Sequence, residues 1–236
     1  MGSIYLIRHG QASFGCDDYD VLSTVGKRQS EALGAHLVQL GTRFDRCIAG
    51  SLRRQQDTAR LALDVMQEDG AKVPEVETDP AFNEFDADAV IRALLPALLP
   101  EEPEALNVLR NAREHRAEFQ RLFALLVQRW HGGQHDRDGI ESWAAFVQRT
   151  GEGLQRVLDQ AASGDNIAIF TSGGTIAALL HRILGISPSQ AFELNWQIIN
   201  TSLSQLKFRG IEVTLASFNS QAHVRLMRVP ELVTWR

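Results

Sequence analysis

The chain has 236 residues, of which 44% are hydrophobic and 22% charged, and its formal net charge is −5. That size supports one large α/β domain or two small ones with a full core, and the acidic balance argues against a general nucleic-acid or membrane-surface binder. No apolar run is long enough to span a bilayer, and the N-terminus lacks a basic segment followed by a signal-length apolar stretch, so the expectation is a cytoplasmic enzyme or binding protein.

Ile4-Tyr-Leu-Ile-Arg8-His9-Gly10 opens with an apolar run of strand length that ends in a cation, an imidazole and a glycine able to turn sharply. A polar loop follows. Helical spacing runs from about Val25 to Leu40, with Ser23 or Thr24 as candidate caps and Gly41 as the stop. Residues 44–49 read as a second strand, leading into a helix through about Met66, and residues 73–78 read as a third strand closed by Pro80. From about 86 to 164 the pattern is mainly helical: 94–99 is interrupted by prolines, while 104–130 and 142–162 keep helical spacing. His131 and His135 stand four apart, but glycines break any helix between them, so 131–136 is a loop and not a metal site. Asn166-Ile-Ala-Ile-Phe-Thr171 is a buried strand, followed by Gly173-Gly174 and a helix through Leu184. Residues 202–208 and 212–218 form a hairpin around Arg209-Gly210.

This alternation predicts a three-layer α/β/α fold with a mostly parallel central sheet, one domain over 1–236, and a helical insertion (86–164) over the sheet's carboxyl edge. Open α/β sheets keep their ligand sites at that edge. Arg8 and His9 follow the first strand, Arg53 and Arg54 the second, Glu84 the third, and Thr171-Ser172-Gly173-Gly174 the fourth. Guanidinium groups, an imidazole, a carboxylate and a glycine-rich helix N-terminus together make a phosphate pocket with a nucleophile and an acid. Arg53 reads as an ordinary surface arginine, and Ser172 could instead simply cap its helix. Cys16 and Cys47 are isolated thiols that suit a reducing compartment, with a disulfide left open.

These motifs, in this order, resemble the histidine phosphatase superfamily, also called the phosphoglycerate mutase-like family. Arg8-His9-Gly10 is similar to its signature. Leu22-Ser23-Thr24-Val25-Gly26-Lys27-Arg28-Gln29 resembles its L-[ST]-x-x-G-x-x-Q segment, and Leu52 to Ala59 its L-x-R-x-x-x-T-A segment. Phe82-Asn83-Glu84 resembles its acid motif, Glu141-Ser142-Trp143 a helix opening, and Asn200-Thr201-Ser202 with His223 its tail. The resemblance implies a metal-independent phosphomonoesterase needing no cofactor, acting on a small phosphorylated substrate. It implies His9 as nucleophile, Glu84 as proton donor, and Arg8, Arg54, Ser172 and Gly173 as phosphate ligands.

The chain departs from the family at one position. Ser-His-Gly-Gly usually follows the fourth strand, and here Ser172 stands where the second catalytic histidine would be. A serine hydroxyl donates a hydrogen bond but is neutral and shorter, and losing a preorganised donor costs roughly a hundredfold or more in rate. Two readings follow, a phosphatase acting through phosphohistidine and a phospho-ligand binder that kept the pocket and lost turnover. The family's mutases carry a tryptophan- and glycine-containing pattern soon after the first glycine, which Gln11 to Tyr19 lacks. Substrate identity and oligomeric state have no signature that the sequence discloses.

Overall fold

The computed structural model describes residues 1–13, 20–111, 114–133 and 139–235. Cys16, His135 and residues 14–19 of the mutase-discriminating segment 11–19 lie outside them. In chain order the elements are β1 (Gly2–Arg8), α1 (Thr24–Gln39), β2 (Arg46–Ala49), α2 (Arg53–Glu68), β3 (Val76–Thr78), α3 (Ala87–Leu98), α4 (Ala105–Arg110), α5 (Arg116–His131), α6 (Trp143–Gln160), β4 (Asn166–Thr171), α7 (Gly173–Leu184), α8 (Pro188–Gln197), β5 (Leu203–Arg209), β6 (Glu212–Ser220) and α9 (Ala222–Leu226). The chain divides into two compact units, one of Met1–Glu84 with Thr150–Arg236 and one of Phe85–Arg149. No helix among the described residues is long and apolar enough to cross a membrane.

The first unit is a three-layer α/β/α structure on a six-stranded sheet of order β3-β2-β4-β1-β5-β6. β3, β2, β4 and β1 run parallel, while β5 and β6 add an antiparallel edge. The layers follow from the period-two alternation of a strand. Ile4, Leu6, Ile48, Ile167 and Ile169 face one side, where they pack with Ile176, Leu179 and Leu180 of α7 and Leu154, Val157 and Leu158 of α6. Ile7, Cys47, Ala49, Ala168 and Phe170 face the other, against Leu33 and Leu37 of α1 and Ala59, Ala62, Leu63 and Met66 of α2. Both faces of these strands are therefore apolar, which is why they read as continuous hydrophobic runs.

The second unit has its own aromatic cluster. Phe85 stacks on Trp130 at 4.5 Å between ring centroids, and Phe146 and Trp143 pack edge-on or tilted around them. The Trp130 Nε1–H donates to the Glu141 carbonyl at 2.8 Å, so the buried indole keeps a partner. Glu141 also holds Arg149 through two hydrogen bonds of 2.7 and 2.8 Å.

Several boundaries differ from the sequence expectation. Ser23 caps α1, its Oγ accepting from Gly26 N–H at 3.0 Å, so Thr24 is the first helical residue. The third strand shrinks to residues 76–78 because Pro74 has no N–H to give a ladder. Pro96 lies inside α3 and does not break it; the helix ends at Leu98, two residues before Pro100. The stretch 104–130 is two helices, α4 and α5, not one. Asn111 follows α4, with its side-chain amide on the Asn107 carbonyl, a local bond that competes with helix continuation. His131 is the last residue of α5 and not part of the following loop. α8, absent from the sequence reading, carries a capping box in which Ser187 and Gln190 satisfy each other's backbone N–H groups.

Candidate active site

Parallel β1, β2 and β4 deliver their carboxyl ends to one edge of the sheet. Arg8 pairs with Thr171 in the β1–β4 register, and His9 N–H donates to the Thr171 carbonyl at 2.8 Å. Residues 9 and 172 therefore leave adjacent strands side by side. β2 ends at Ala49 and turns through Gly50 into α2, whose first residues are Arg53, Arg54 and Gln55. After β3, a short turn of helix at Pro80–Phe82 brings Glu84 to the same edge, where its Oε2 accepts from Gly174 N–H at 2.9 Å. β5 is antiparallel, so its amino-terminal approach, Asn200 to Ser202, arrives there too, with Arg8 N–H donating to the Ser202 carbonyl.

His9 is buried, 5% exposed. Its Nδ1 lies 2.7 Å from the Gly10 carbonyl, and its Nε2 lies 3.2 Å from Arg54 Nε. A carbonyl only accepts and a guanidinium only donates, so the proton sits on Nδ1 and the lone pair on Nε2. Burial first, then the charges of Arg54 and Arg8, push the imidazole well below the ordinary histidine range; the Gly10 carbonyl works weakly against them. His9 is a neutral base with its free nitrogen aimed at a cation.

The backbone under His9 is held from several sides. Gly10 N–H donates to Thr58 Oγ1 of α2, and Thr58 Oγ1 donates to the Arg54 carbonyl. A Cβ at Gly10 would lie 2.5 Å from the Gly26 carbonyl oxygen, so only glycine lets α1 approach this turn. Asn200 Nδ2 donates to the His9 carbonyl at 3.0 Å. Thr201 adopts φ +61, costly for a β-branched residue, and its N–H reaches the Arg8 carbonyl at 3.0 Å. His223 Nε2 lies 2.9 Å from Thr201 Oγ1, and because that hydroxyl already donates to the Asn200 carbonyl, His223 supplies the proton.

Arg54 is buried, 8% exposed, and its Nη1 forms a 2.7 Å ion pair with Asp20. The Asp20 carboxylate also accepts from Arg53 N–H at 2.7 Å, so it caps α2 while fixing Arg54. Arg8 is anchored by an Nη1 hydrogen bond to the Ile198 carbonyl. A Cβ at Gly173 would meet Asn195 Oδ1 at 2.4 Å, so the Asn195 side chain would have to shift, and would lie 3.7 Å from Arg8 Nε. Ser172 is fully buried and precedes α7 but makes no capping hydrogen bond. Its Oγ accepts from Gln55 Nε2 at 2.8 Å instead.

Arg8, His9, Arg54, Glu84, Ser172 and Gly173 thus all belong to one edge of the first unit. Asp20 and Gln55 were not anticipated. Asp20 is legible only as an acid ahead of a capped helix, and Gln55 carries no signal beyond its place beside Arg54. Among the described residues no group of three or more His, Cys, Asp or Glu side chains could hold a metal ion. Cys47 takes no part: it lies in the core, and burial pushes its thiol up to about 12.

The sequence profile of the histidine phosphatase superfamily (branch 1) matches residues 4–120 and 110–221. The chain belongs to that superfamily. Within the histidine phosphatases, it is 33% identical over 122 residues to the mitochondrial serine/threonine-protein phosphatase Pgam5 of Drosophila willistoni, a match covering 51% of this chain and 40% of that protein. It is 25% identical over 202 residues to the 2,3-bisphosphoglycerate-dependent phosphoglycerate mutase of Sinorhizobium fredii, covering 82% and 85% of the two chains. Among solved structures, a phosphoserine phosphatase from Entamoeba histolytica has a TM-score of 0.63 at 20% identity, over 95% of this chain and 100% of that one. A mycobacterial glucosyl-3-phosphoglycerate phosphatase has a TM-score of 0.62 at 19% identity, over 94% and 100%. These two share the histidine phosphatase fold.

Proposed function

We propose that the chain is a metal-independent phosphomonoester hydrolase that works through a phosphohistidine on His9 and takes a small organic phosphate. The observation that carries this reading is the wiring of His9: Nδ1 is spent on the Gly10 carbonyl, so Nε2 is the nucleophilic atom, and burial beside two arginines keeps it unprotonated. An incoming phosphoryl group takes over the Arg54 guanidinium from His9 and shares it with Asp20, while Arg8 and the unused hydroxyl proton of Ser172 meet its other oxygens. His9 Nε2 forms the N–P bond as the P–O ester bond breaks, and Glu84 gives its proton to the departing alkoxide. Water then attacks phosphorus, its proton returns to Glu84, and the N–P bond breaks to release phosphate.

Glu84 has to hold a proton for the first step. Its Oε2 accepts from the Gly174 N–H, and in this reading a dianionic substrate beside it favours the acid form. The arginines supply the positive charge that a metal would otherwise bring. The solved neighbours named for phosphoserine and for glucosyl-3-phosphoglycerate support a small phosphomonoester substrate. Pgam5, named as a protein phosphatase, matches over about half of this chain only. The net charge of −5 argues against a general nucleic-acid partner.

A second reading, a phospho-ligand binder with little turnover, draws on Ser172, a buried neutral residue where the family carries an imidazole. Turnover of an aryl phosphate in EDTA separates the two. Hydrolysis lost in His9→Ala supports the hydrolase. Phosphate that raises the melting temperature of a chain with no turnover supports the binder.

A further inference from the structure

Gln55 is fully buried at the edge that carries His9, and its amide bridges two segments of the site. Nε2 donates to Ser172 Oγ at 2.8 Å and to the Phe82 carbonyl at 3.1 Å, two residues before Glu84. The carbonyl partner fixes the amide orientation, because turning it over would set Oε1 against another acceptor. Oε1 itself is buried with no hydrogen-bond partner among the described residues. It lies against Gly50, where a Cβ would come within 2.0 Å of it, so the turn into α2 is glycine at the point where the amide needs room.

A core position with one unsatisfied carbonyl oxygen is an expensive place for glutamine, and an apolar side chain of the same length would fill it at lower cost. The amide supplies two N–H bonds that an apolar chain could not, but the Phe82 carbonyl already accepts from Thr171 Oγ1, so the bond without a substitute is the one on Ser172. A hydroxyl that accepts from that N–H has its own proton left to give. Among the described residues the side-chain partner of Ser172 is this donor, and Ser172 does not use its hydroxyl to cap α7. Residue 172 leaves β4 beside His9, and the adjoining Gly173 approaches Arg8.

We propose that Gln55 is the positioning residue that turns Ser172 into a directed donor toward the phosphoryl group, the two together standing in for an imidazole. This rests on the phosphohistidine reading for its reaction, but not for its geometry. The pair is neutral, so its donation does not titrate. It also fills the space of a larger side chain, so Ser172→His alone is overpacked, and Ser172→His with Gln55→Ala is the combination that accommodates an imidazole.

The test is a double-mutant cycle of Gln55→Met and Ser172→Ala in the full chain, read both in aryl phosphate kinetics and in orthovanadate affinity by calorimetry. Gln55→Met alone lowers kcat by roughly tenfold to a hundredfold, with a smaller rise in KM, and weakens orthovanadate, less than the hundredfold or more expected when a preorganised donor is removed outright, because the Ser172 hydroxyl stays but is no longer directed. In the Ser172→Ala background the same change alters either quantity less than twofold. Gly50→Ala, which displaces the amide from the other side, reproduces the loss if Gln55→Met is too unstable to assay. An equal loss in both backgrounds makes Gln55 a packing residue and overturns the inference, as does no loss in either. A native chain without His9-dependent turnover overturns the hydrolase reading alone, because the orthovanadate cycle still reports the coupling. Failure of the native chain to bind orthovanadate overturns both.

Discussion

A histidine with one nitrogen on a carbonyl and the other facing a guanidinium N–H has a single protonation state that satisfies both partners. For His9 that state is neutral with the proton on Nδ1. Burial first, and then the positive charges of Arg54 and Arg8, disfavour its imidazolium, which is why its pKa falls. Nitrogen-detected NMR of the ring is expected to show the Nδ1–H tautomer at pH 6.5, persisting well below it, and Arg54→Met is expected to move the titration upward because a cation leaves. A His9 that titrates near the ordinary value of about 6.5 contradicts this wiring. At this scale the sequence was partly transparent. Arg8 and His9 stand out because a buried run ends in a cation and an imidazole. Asp20 and Gln55 do not, since each acts through a partner far along the chain, and no local pattern encodes the pairs Asp20–Arg54 and Gln55–Ser172.

The elements meet at close approaches that glycine permits. Gly34 of α1 faces α2 so tightly that a Cβ would lie 2.4 Å from the Ala62 carbonyl oxygen and 2.9 Å from Val65 Cβ. Backbone cannot yield as a side-chain end can, so Gly34→Ala forces the helices apart and destabilises the protein by about 1–3 kcal/mol. Urea denaturation checks this, with the folded variant expected to retain native kcat, because the atoms nearest Gly34 belong to Ala62 and Val65, outside the site. Unchanged stability contradicts the close packing of α1 on α2. The strands and long helices of the first unit were legible in period and length, because burial on both faces leaves unbroken apolar runs. The second unit was less so. Asn111 follows α4 with a local bond that periodicity does not register, and Pro96 lies inside α3 without ending it. α8 had a readable signal in Ser187, Pro188 and Gln190, whose capping box and N-terminal proline announce a start, but its weak amphipathicity hid it.

Across the whole molecule, distant segments converge under one imidazole. The tail reaches back to α1 and the site: Gln29 Nε2 donates to the Leu232 carbonyl and to Thr234 Oγ1, and Thr234 donates to Asn200, which supports the His9 carbonyl. His223 belongs to the same network. Burial pushes it down to about 4, with the neighbouring His36 adding to the shift. Above about pH 6.5 neither folded nor unfolded His223 is charged, so it contributes no slope. Between 6.5 and about 4 the unfolded chain binds a proton that the folded one refuses, and stability falls by about 3 kcal/mol across that window. His9 acts in the same direction. Thermal melts from pH 7.5 to 4.5 are expected to show the decline, and His223→Gln is expected to flatten part of it. A melting temperature independent of pH over that range contradicts the burial of neutral histidines. The three-layer arrangement was foreseeable from strand–helix alternation, whereas the tail's return was not, because nothing local in residues 229–235 announces a partner some two hundred positions earlier.

In the proposed reaction His9 carries the phosphoryl group. Rapid quench of the native chain with a radiolabelled aryl phosphate in EDTA, followed by mapping of the labelled peptide, tests it most directly. An acid-labile, base-stable phosphate is expected on the peptide containing His9, absent in His9→Ala together with turnover. Turnover that survives His9→Ala, or a label on any other residue, would contradict it.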